Sequence, residues 1–366
     1  MLGNRPKSIV LIGAGHTHAL VMLRLQNTLP KGTDLTIIDP MADAIYSGML
    51  PGFVAGHYES DDLKINLLSL SQRVGATFIQ DRVRAIDPAS KQVNLESGEN
   101  ISYDVASFDI GITSKLSRLS GFDDHAVPVK PLGSFTKIWE TYLTRRDTAR
   151  IAVIGGGVAG SELAMAMAFA LQQRNLKYQI TVIDRGGVLA DLSKSTRRRI
   201  LKASQTFGII TSEHAHVREV TADGLVLETG ETVDADLVIG AAGAVPHQWI
   251  ETTPLYHQNG YIDVNAQLQT SDPNVFAVGD CAHFTERPLP KAGVFAVRQA
   301  PTLSHNLIAA ISGDQLKEYK PQSDFLKLIT LGGKTALAEK FGITMSGKWV
   351  WALKNRIDSD FMRRFR

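Results

Sequence analysis

Apolar residues along this chain gather in short solid blocks, and the same pattern of block and break is written twice. In "KSIVLIGAGHTHALVMLRL", residues 7–25, a block of branched residues runs into a glycine turn and then a segment of helical spacing, which predicts a buried strand, a tight turn and a helix. "LTIIDP" predicts a second strand ending at Asp39, 24 residues beyond Gly15. The pattern recurs in "RIAVIGGGVAGSELAMAMAFAL", residues 150–171, and in the strand "QITVIDR" ending at Asp184. Blocks without alternation suit strands covered on both faces, so each copy predicts an α/β unit with a parallel sheet.

The repetition reaches the far end of each copy. "NLESGENISYDVASFDIG", residues 94–111, aligns without gaps on "VLETGETVDADLVIGAAG", residues 226–243, at a constant offset of 132. Glu96, Gly98, Glu99, Asp104 and Gly111 meet Glu228, Gly230, Glu231, Asp236 and Gly243. Each predicts a β-hairpin followed by a strand that returns to the parent sheet. Beyond the second copy, "TSDPNVFAVGDCAHF" predicts another buried strand, ending at Gly279 and Asp280. A long helix is expected from about Lys291 through "FAVRQAPTLSHNLIAAI", kinked at Pro301. From about Phe325 the chain predicts short strands, a turn at "LGGK" and a terminal amphipathic helix.

Composition narrows the function classes. At 366 residues, with 44% hydrophobic and 21% charged residues, the chain is an ordinary globular protein of more than one domain. A net charge of +2 gives no reason to expect nucleic acid as a partner. The longest nearly unbroken apolar run, "LAMAMAFAL" at residues 163–171, has about half the length that spanning a bilayer requires. The first apolar stretch is broken by Gly13, Gly15 and two histidines with no cleavage site after it, so no signal peptide is expected and the expected compartment is the cytoplasm. The single cysteine, Cys281, cannot form an intramolecular disulfide or a redox dithiol.

A strand followed by Gly-x-Gly sets a helix N-terminus and backbone amides against a pyrophosphate, and a third glycine lets the helix approach the sheet. Gly155, Gly157 and Gly160 meet all three requirements; in the first copy Gly13 and Gly15 are followed by His18, so that copy is degenerate. His16 and His18, two helical positions apart, point about 200° from each other and have no acidic or cysteine neighbour, so a phosphate cradle is expected rather than a metal site. Either histidine could line a nucleotide or fill space at the helix start. Asp39 and Asp184 stand where a carboxylate binds ribose hydroxyls and repels a 2'-phosphate, which favours NADH over NADPH at the second copy, although Arg185 weakens that preference. Two dinucleotide sites in one chain suggest FAD exchanging a hydride with a nicotinamide cofactor.

Through "GAGHTH", "GGGVAGSE", "DIGITS", "GAAGAVP" and "NVFAVGDCA" the chain resembles flavoproteins with two dinucleotide-binding domains, the pyridine nucleotide-disulfide oxidoreductase-like superfamily, and within them the type II NADH dehydrogenases. Through "YSGMLPGFVAGHY" and "KAGVFAVRQAP" it resembles most closely the FAD/NAD(P)-binding module that is fused in some organisms to selenophosphate synthetase. The resemblance implies an α/β protein of two Rossmann-like FAD/NAD(P)-binding domains of three-layer ββα type with a small C-terminal α+β segment. The FAD domain would comprise residues 1–114 and 245–325, the NAD(P)H domain 115–244 and the C-terminal segment 326–366. It also implies that Asp280, after Gly279, binds the ribityl chain. Lys291 to Gly293 would open a helix aimed at the flavin pyrimidine, where Lys291 could stabilise anionic reduced flavin or act as a solvated cap. Ser47, Gly48 and Met49 would wrap the isoalloxazine or the FAD phosphates. Glu162 would lie near the nicotinamide, or be an ordinary carboxylate of a first helical turn.

The destination of the electrons stays open. Disulfide reductases and sulfide:quinone reductases of this fold need cysteines that Cys281 alone does not supply. Type II dehydrogenases reduce quinone, usually under an Ala-Gln-x-x-x-Gln helix start; aligned on Gln299, those two glutamines fall at Val294 and Arg298. The tail "GKWVWALKNRIDSDFMRRFR" carries an apolar stripe of Trp349, Leu353, Ile357, Phe361 and Phe365, flanked by basic residues, with six basic residues against Asp358 and Asp360. It resembles the family's monotopic anchor and could lie on the inner face of the cytoplasmic membrane, pack on its own domain or form a homodimer. A small-molecule acceptor, foremost a quinone, is expected. The alternatives are an NADH-dependent reductase of selenium metabolism or of another small acceptor, and a slow-turnover flavoprotein that senses redox state or docks a partner.

Overall fold

The computed structural model describes residues 6–144 and 148–366, which form two compact units. The first contains the chain up to Ala44, then Ile65–Ile112 and Val245–Ser323. The second contains Ile45–Lys64, Thr113–Ala244 and Asp324–Arg366. The segment Ile45–Lys64, which the sequence reading set within the first domain, therefore packs in the second unit, together with the C-terminal segment.

In the first unit the strand Lys7–Ile12 pairs in parallel with Thr33–Ile38 on one side and Val105–Phe108 on the other. Thr77–Ile79 and Val275–Ala277 extend the sheet at its two edges, giving five parallel strands. Ile9, Leu11 and Ile37 are completely buried, as expected for strands covered on both faces. The helices His16–Leu25 and Gly293–Ser312 pack on one another, the second with Pro301 inside it. The three-stranded antiparallel hairpin sheet Val83–Asp87, Gln92–Leu95 and Asn100–Ser102 leads into the returning strand Val105–Phe108.

The second unit repeats this plan. Ala149–Ile154 pairs in parallel with Tyr178–Asp184 and Leu237–Gly240, flanked by Ile210–Glu213 and Ala126–Pro128. The hairpin sheet Val217–Thr221, Gly224–Leu227 and Thr232–Asp234 buries Val220, Leu225 and Leu227 against Ala152, Ile154 and Val238 of the parallel sheet, with Phe122 filling the same core. The helix Val158–Gln173 contributes Leu163, Met165 and Met167, all fully buried. At the end of the chain Lys327–Thr330, Ala336–Lys340 and Ile343–Gly347 form an antiparallel sheet, followed by the helix Lys348–Met362.

The 132-residue repeat holds at the level of single bonds. Leu95 N donates to Glu99 O at 2.9 Å and Leu227 N to Glu231 O at 2.8 Å; Asp104 N reaches Ser8 O and Asp236 N reaches Arg150 O, each at 2.9 Å. Gly98 and Gly230 sit at φ +92° and +89°, and Gly111 and Gly243 at +64° and +69°, a region open to glycine at little cost.

Candidate functional site

Each glycine loop is tied down by the aspartate at the end of the neighbouring strand. Ala14 N donates to Asp39 Oδ2 at 2.8 Å, and Gly156 N donates to Asp184 Oδ2 at 2.7 Å. Asp39 also accepts from Met41 N and Asp184 from Gly186 N, both at 2.8 Å. Burial pushes the Asp39 carboxyl above the usual carboxylate range. Gly13 and Gly155 turn at φ +84° and +112°. Gly157 caps the helix Val158–Gln173, as Gly15 caps His16–Leu25.

The two copies differ at the third position. A Cβ on Gly160 would lie 1.9 Å from the Gly155 carbonyl oxygen, so glycine there lets helix and turn touch. In the first copy His18 turns the same approach into a hydrogen bond. Its Nδ1 lies 2.6 Å from the Gly13 carbonyl oxygen and its Nε2 2.8 Å from Ser107 Oγ. A carbonyl can only accept, so Nδ1 carries the proton and Nε2 accepts from the Ser107 hydroxyl. His18 has no exposed surface, and burial lowers its pKa to about 4. His16 lies half-buried at the start of the helix. Among the described residues no group of three or more His, Cys, Asp or Glu gathers as metal ligands would.

Asp109, at the end of the returning strand, is a site residue that the pattern of apolar blocks does not single out. Its Oδ2 accepts from Thr17 N at 2.8 Å and His18 N at 3.0 Å, and its backbone carbonyl accepts from Gly15 N at 3.1 Å. A Cβ on Gly15 would fall 2.3 Å from this carboxylate, and one on Gly279 would fall 2.4 Å from Asp109 Oδ1. The carboxylate thus lies between the two glycine turns expected to face FAD. A signal for it exists in the repeat, because the offset of 132 sets Asp109 against Ala241.

A pocket in the first unit is lined by Gly279, Asp280, Lys291, Phe295 and Gln299. Gln299 Oε1 accepts from Gly279 N at 2.8 Å, fixing the turn that presents Asp280. Lys291 folds back, with Nζ donating to Ala282 O at 2.5 Å and lying 4.2 Å from the centroid of the Tyr261 ring; burial lowers its pKa. The long helix opens at Gly293. Cys281 is sealed, its Sγ 3.2 Å from Val278 O, and burial pushes the thiol up to about 12, which removes it as a nucleophile at neutral pH.

In the second unit the Ser47–Met49 turn is gripped by the C-terminal helix. Lys354 Nζ donates to Gly48 O at 2.6 Å and pairs with Asp358 Oδ2 at 2.7 Å; Tyr46 Oη donates to Asp358 Oδ1 at 3.0 Å. Tyr58 Oη reaches Asn355 Oδ1 at 2.7 Å, and Tyr46 stacks on Phe361 at 4.4 Å. The helix accordingly faces the opposite way from its apolar stripe over most of its length. Lys354 and Asp358 are buried at 9% and 5% exposure, whereas Trp349, Leu353 and Ile357 stand 56%, 38% and 43% exposed. Of the stripe's five residues, Phe361 is buried in the body of the unit. Glu162 lies beyond the first turn of the helix Val158–Gln173, so it is not the first-turn carboxylate that the sequence allowed; it accepts at Oε1 from Thr330 N at 2.5 Å and Thr330 Oγ1 at 2.9 Å, and burial raises its pKa while the charge of Lys354 opposes the rise.

Residues 7–302 match the pyridine nucleotide-disulphide oxidoreductase family. The chain belongs to that family. It is therefore an FAD-dependent NAD(P)H oxidoreductase of the two-domain α/β fold, with FAD and NADH as its cofactors. It is 27% identical to a demethylphylloquinone reductase of Synechocystis over 95% of this chain and 90% of that protein. It is 21% identical to a type II NADH:quinone oxidoreductase of Staphylococcus aureus over 96% of this chain and 94% of that protein. In structure it is similar to NDH2 from Plasmodium falciparum in complex with NADH, with a TM-score of 0.81 at 15% identity, covering 99% of this chain and 98% of that one. A sulfide:quinone oxidoreductase from Aquifex aeolicus superposes with a TM-score of 0.79 at 18% identity, covering 98% and 91%.

Proposed function

We propose that this protein is a type II NADH:quinone reductase that does not pump protons, converting NADH, a proton and a quinone into NAD+ and a quinol. The observation that carries this reading is the combination of two dinucleotide loops with one sealed thiol. Electrons entering from NADH find no dithiol among the described residues, so an external acceptor must take them, and relatives covering more than nine-tenths of the chain are named for reducing quinones. FAD, when bound, accepts a hydride from the nicotinamide and passes on two electrons.

In this reading Gly13, Gly15, Asp39, Gly279 and Asp280, all in the first unit, hold FAD. The loop Gly155–Gly160 with Asp184 holds NADH, in a domain of residues 115–244. Catalysis of the hydride step rests on positioning and needs no protein acid. Quinol formation does need protons, and Glu162, whose pKa burial raises, is the carboxyl assigned to hold one. Lys291 contributes positive charge beside Asp280 and Gly293. The deciding experiment is to reduce the purified flavoprotein anaerobically with NADH and then add a soluble quinone. Oxidised flavin should return within the turnover time. A reduced flavin that quinone leaves untouched would reject the reading.

A second acceptor is suggested by the resemblance of "YSGMLPGFVAGHY" and "KAGVFAVRQAP" to the fused module, together with Val294 and Arg298 standing where type II dehydrogenases usually carry two glutamines. On that reading the chain works as the module joined elsewhere to selenophosphate synthetase and reduces a selenium compound or another small molecule. The same reduced enzyme, offered selenium compounds, separates the two. Reoxidation by neither would favour a slow-turnover sensing protein.

Among the described residues no helix is long and apolar enough to cross a membrane. Trp349, Leu353 and Ile357 on the helix and Phe341, Ile343 and Met345 just before it in the chain are all at least 38% exposed, with Lys340, Lys348 and Arg356 in the same stretch of chain. We assign this face to the inner surface of the cytoplasmic membrane, where a quinone is reached. Replacing Trp349 and Leu353 together by Ser should lower co-sedimentation with anionic vesicles several-fold and leave flavin reduction by NADH intact. Unchanged sedimentation together with a shift from dimer to monomer would assign the face to a second copy of the chain instead.

A further inference from the structure

We propose that Asp109 couples FAD binding to proton uptake: the carboxyl must be protonated for the first glycine loop to receive the FAD pyrophosphate. The inference rests on the reading that this loop is the FAD site.

A pyrophosphate at a Rossmann loop draws on the positive end of the helix and its first-turn amides. In this loop Thr17 N and His18 N already donate to Asp109 Oδ2, and Gly15 N donates to the Asp109 carbonyl. When ionised, Asp109 is a resident anion at the place built for a phosphate. In the second copy the aligned residue is Ala241, whose Cβ would make only ordinary contact with a Cβ at Gly160, so no carboxylate competes from that position.

The charges facing Asp109 do not neutralise it. His18, from the same helix, is held neutral between Gly13 O and Ser107 Oγ. Asp280, from the Gly279 turn, adds negative charge, and buried Cys281 beside it stays a neutral thiol. From the long helix come uncharged groups, the Ala296 carbonyl accepting from Thr17 Oγ1 and Gln299 binding Gly279 N. Lys291 is engaged at Ala282 O and Tyr261. Burial pushes the Asp109 carboxyl up to about 7, with Asp280 adding to the rise and the Thr17 and His18 amides opposing it. A bound pyrophosphate brings two more negative charges and raises it further. Near and above neutral pH, FAD therefore binds together with one proton, whereas FAD itself does not titrate in that range.

The test dilutes the flavin-loaded enzyme at a series of pH values from about 6 to 9, with flavin fluorescence reporting released FAD and far-UV circular dichroism confirming the fold. The dissociation constant should be flat at the acid end and rise about tenfold per pH unit above neutrality. FAD release in weak buffer with an indicator dye should free about one proton per flavin at pH 8. Asp109→Ala, which installs the residue of the second copy, should abolish the slope and hold FAD at least tenfold tighter than wild type at pH 8.5. Asp109→Asn should likewise abolish the slope. A flat wild-type profile without proton release overturns the proposal, and so does a slope that persists in both variants. Should either variant fail to fold, the wild-type profile and proton count still decide. A protein that holds no FAD at any pH would overturn the assignment of the loop itself.

Discussion

A single methyl group at position 160 should separate the two cofactors. Gly160→Ala is expected to keep its FAD and to lose NADH-dependent flavin reduction at ordinary NADH concentrations. The added Cβ would fall 1.9 Å from the Gly155 carbonyl oxygen and 3.4 Å from the Ala241 Cβ. The first contact is backbone and cannot rotate away, so helix and turn must part. Overpacking of this kind costs about 1–3 kcal/mol. The displacement also moves the amides beyond Gly157 away from the pyrophosphate, so half-saturation by NADH should rise at least tenfold, about 1.4 kcal/mol. The glycine turns Gly13 and Gly279 belong to the other unit and do not share the clash, so flavin content should stay near one per chain. Chemical denaturation, flavin absorbance and stopped-flow reduction give the three readouts. Normal stability with NADH half-saturation within twofold of wild type would show that the helix has room the geometry does not indicate.

The second large effect is expected at the C-terminal helix. Lys354→Met should destabilise the protein by about 3–5 kcal/mol, because it leaves Asp358 buried without its cation. The two side chains are 11% and 6% exposed and 2.7 Å apart, and the same ammonium holds Gly48 O. The double replacement Lys354→Met with Asp358→Leu should recover most of the loss, since a buried ion pair is often worth little against an apolar pair of similar size. A urea-denaturation cycle over the four proteins measures the coupling. A loss below about 1 kcal/mol in the single variant would mean that water reaches Asp358. The single variant should also raise the pKa of Glu162 further, because the Lys354 charge now restrains it.

These two sites also mark what could be read from the sequence. The duplicated units were legible down to individual hairpin glycines, because solid apolar blocks, glycine turns and acidic strand ends are local signals. The long helix through Pro301 was legible for the same reason. Lys354 and Asp358 were not, because an opposite pair four residues apart on an amphipathic helix is also the signature of a solvated surface. What buries them is the Tyr46–Tyr58 segment, some 300 residues away in sequence, and nothing local announces it. Asp109 was legible only through the register of the repeat. A carboxylate closing an apolar strand looks like an ordinary strand end until Ala241 is set beside it. His18 broke the three-glycine rule, and the structure supplies the reason: its ring makes the contact with the Gly13 carbonyl that a glycine would merely permit.

His18 and Asp109 together make the ligand-free loop behave as an internal acid and base. In the unfolded chain near pH 5 the imidazole, with an ordinary pKa of 6.5, carries a proton, and the carboxyl, with an ordinary pKa of 3.8, has lost one. In the folded protein the imidazole pKa is about 4 and the carboxyl about 7, so the proton resides on the carboxyl. The His18 contribution gains stability as pH rises from about 4 to 6.5, and the Asp109 contribution loses it as pH rises from 3.8 to about 7. Over their shared range the two slopes cancel. Folding of this loop is thus a proton transfer between neighbours that leaves the number of bound protons unchanged, so two strongly perturbed groups are hidden from the pH dependence of stability while both are present.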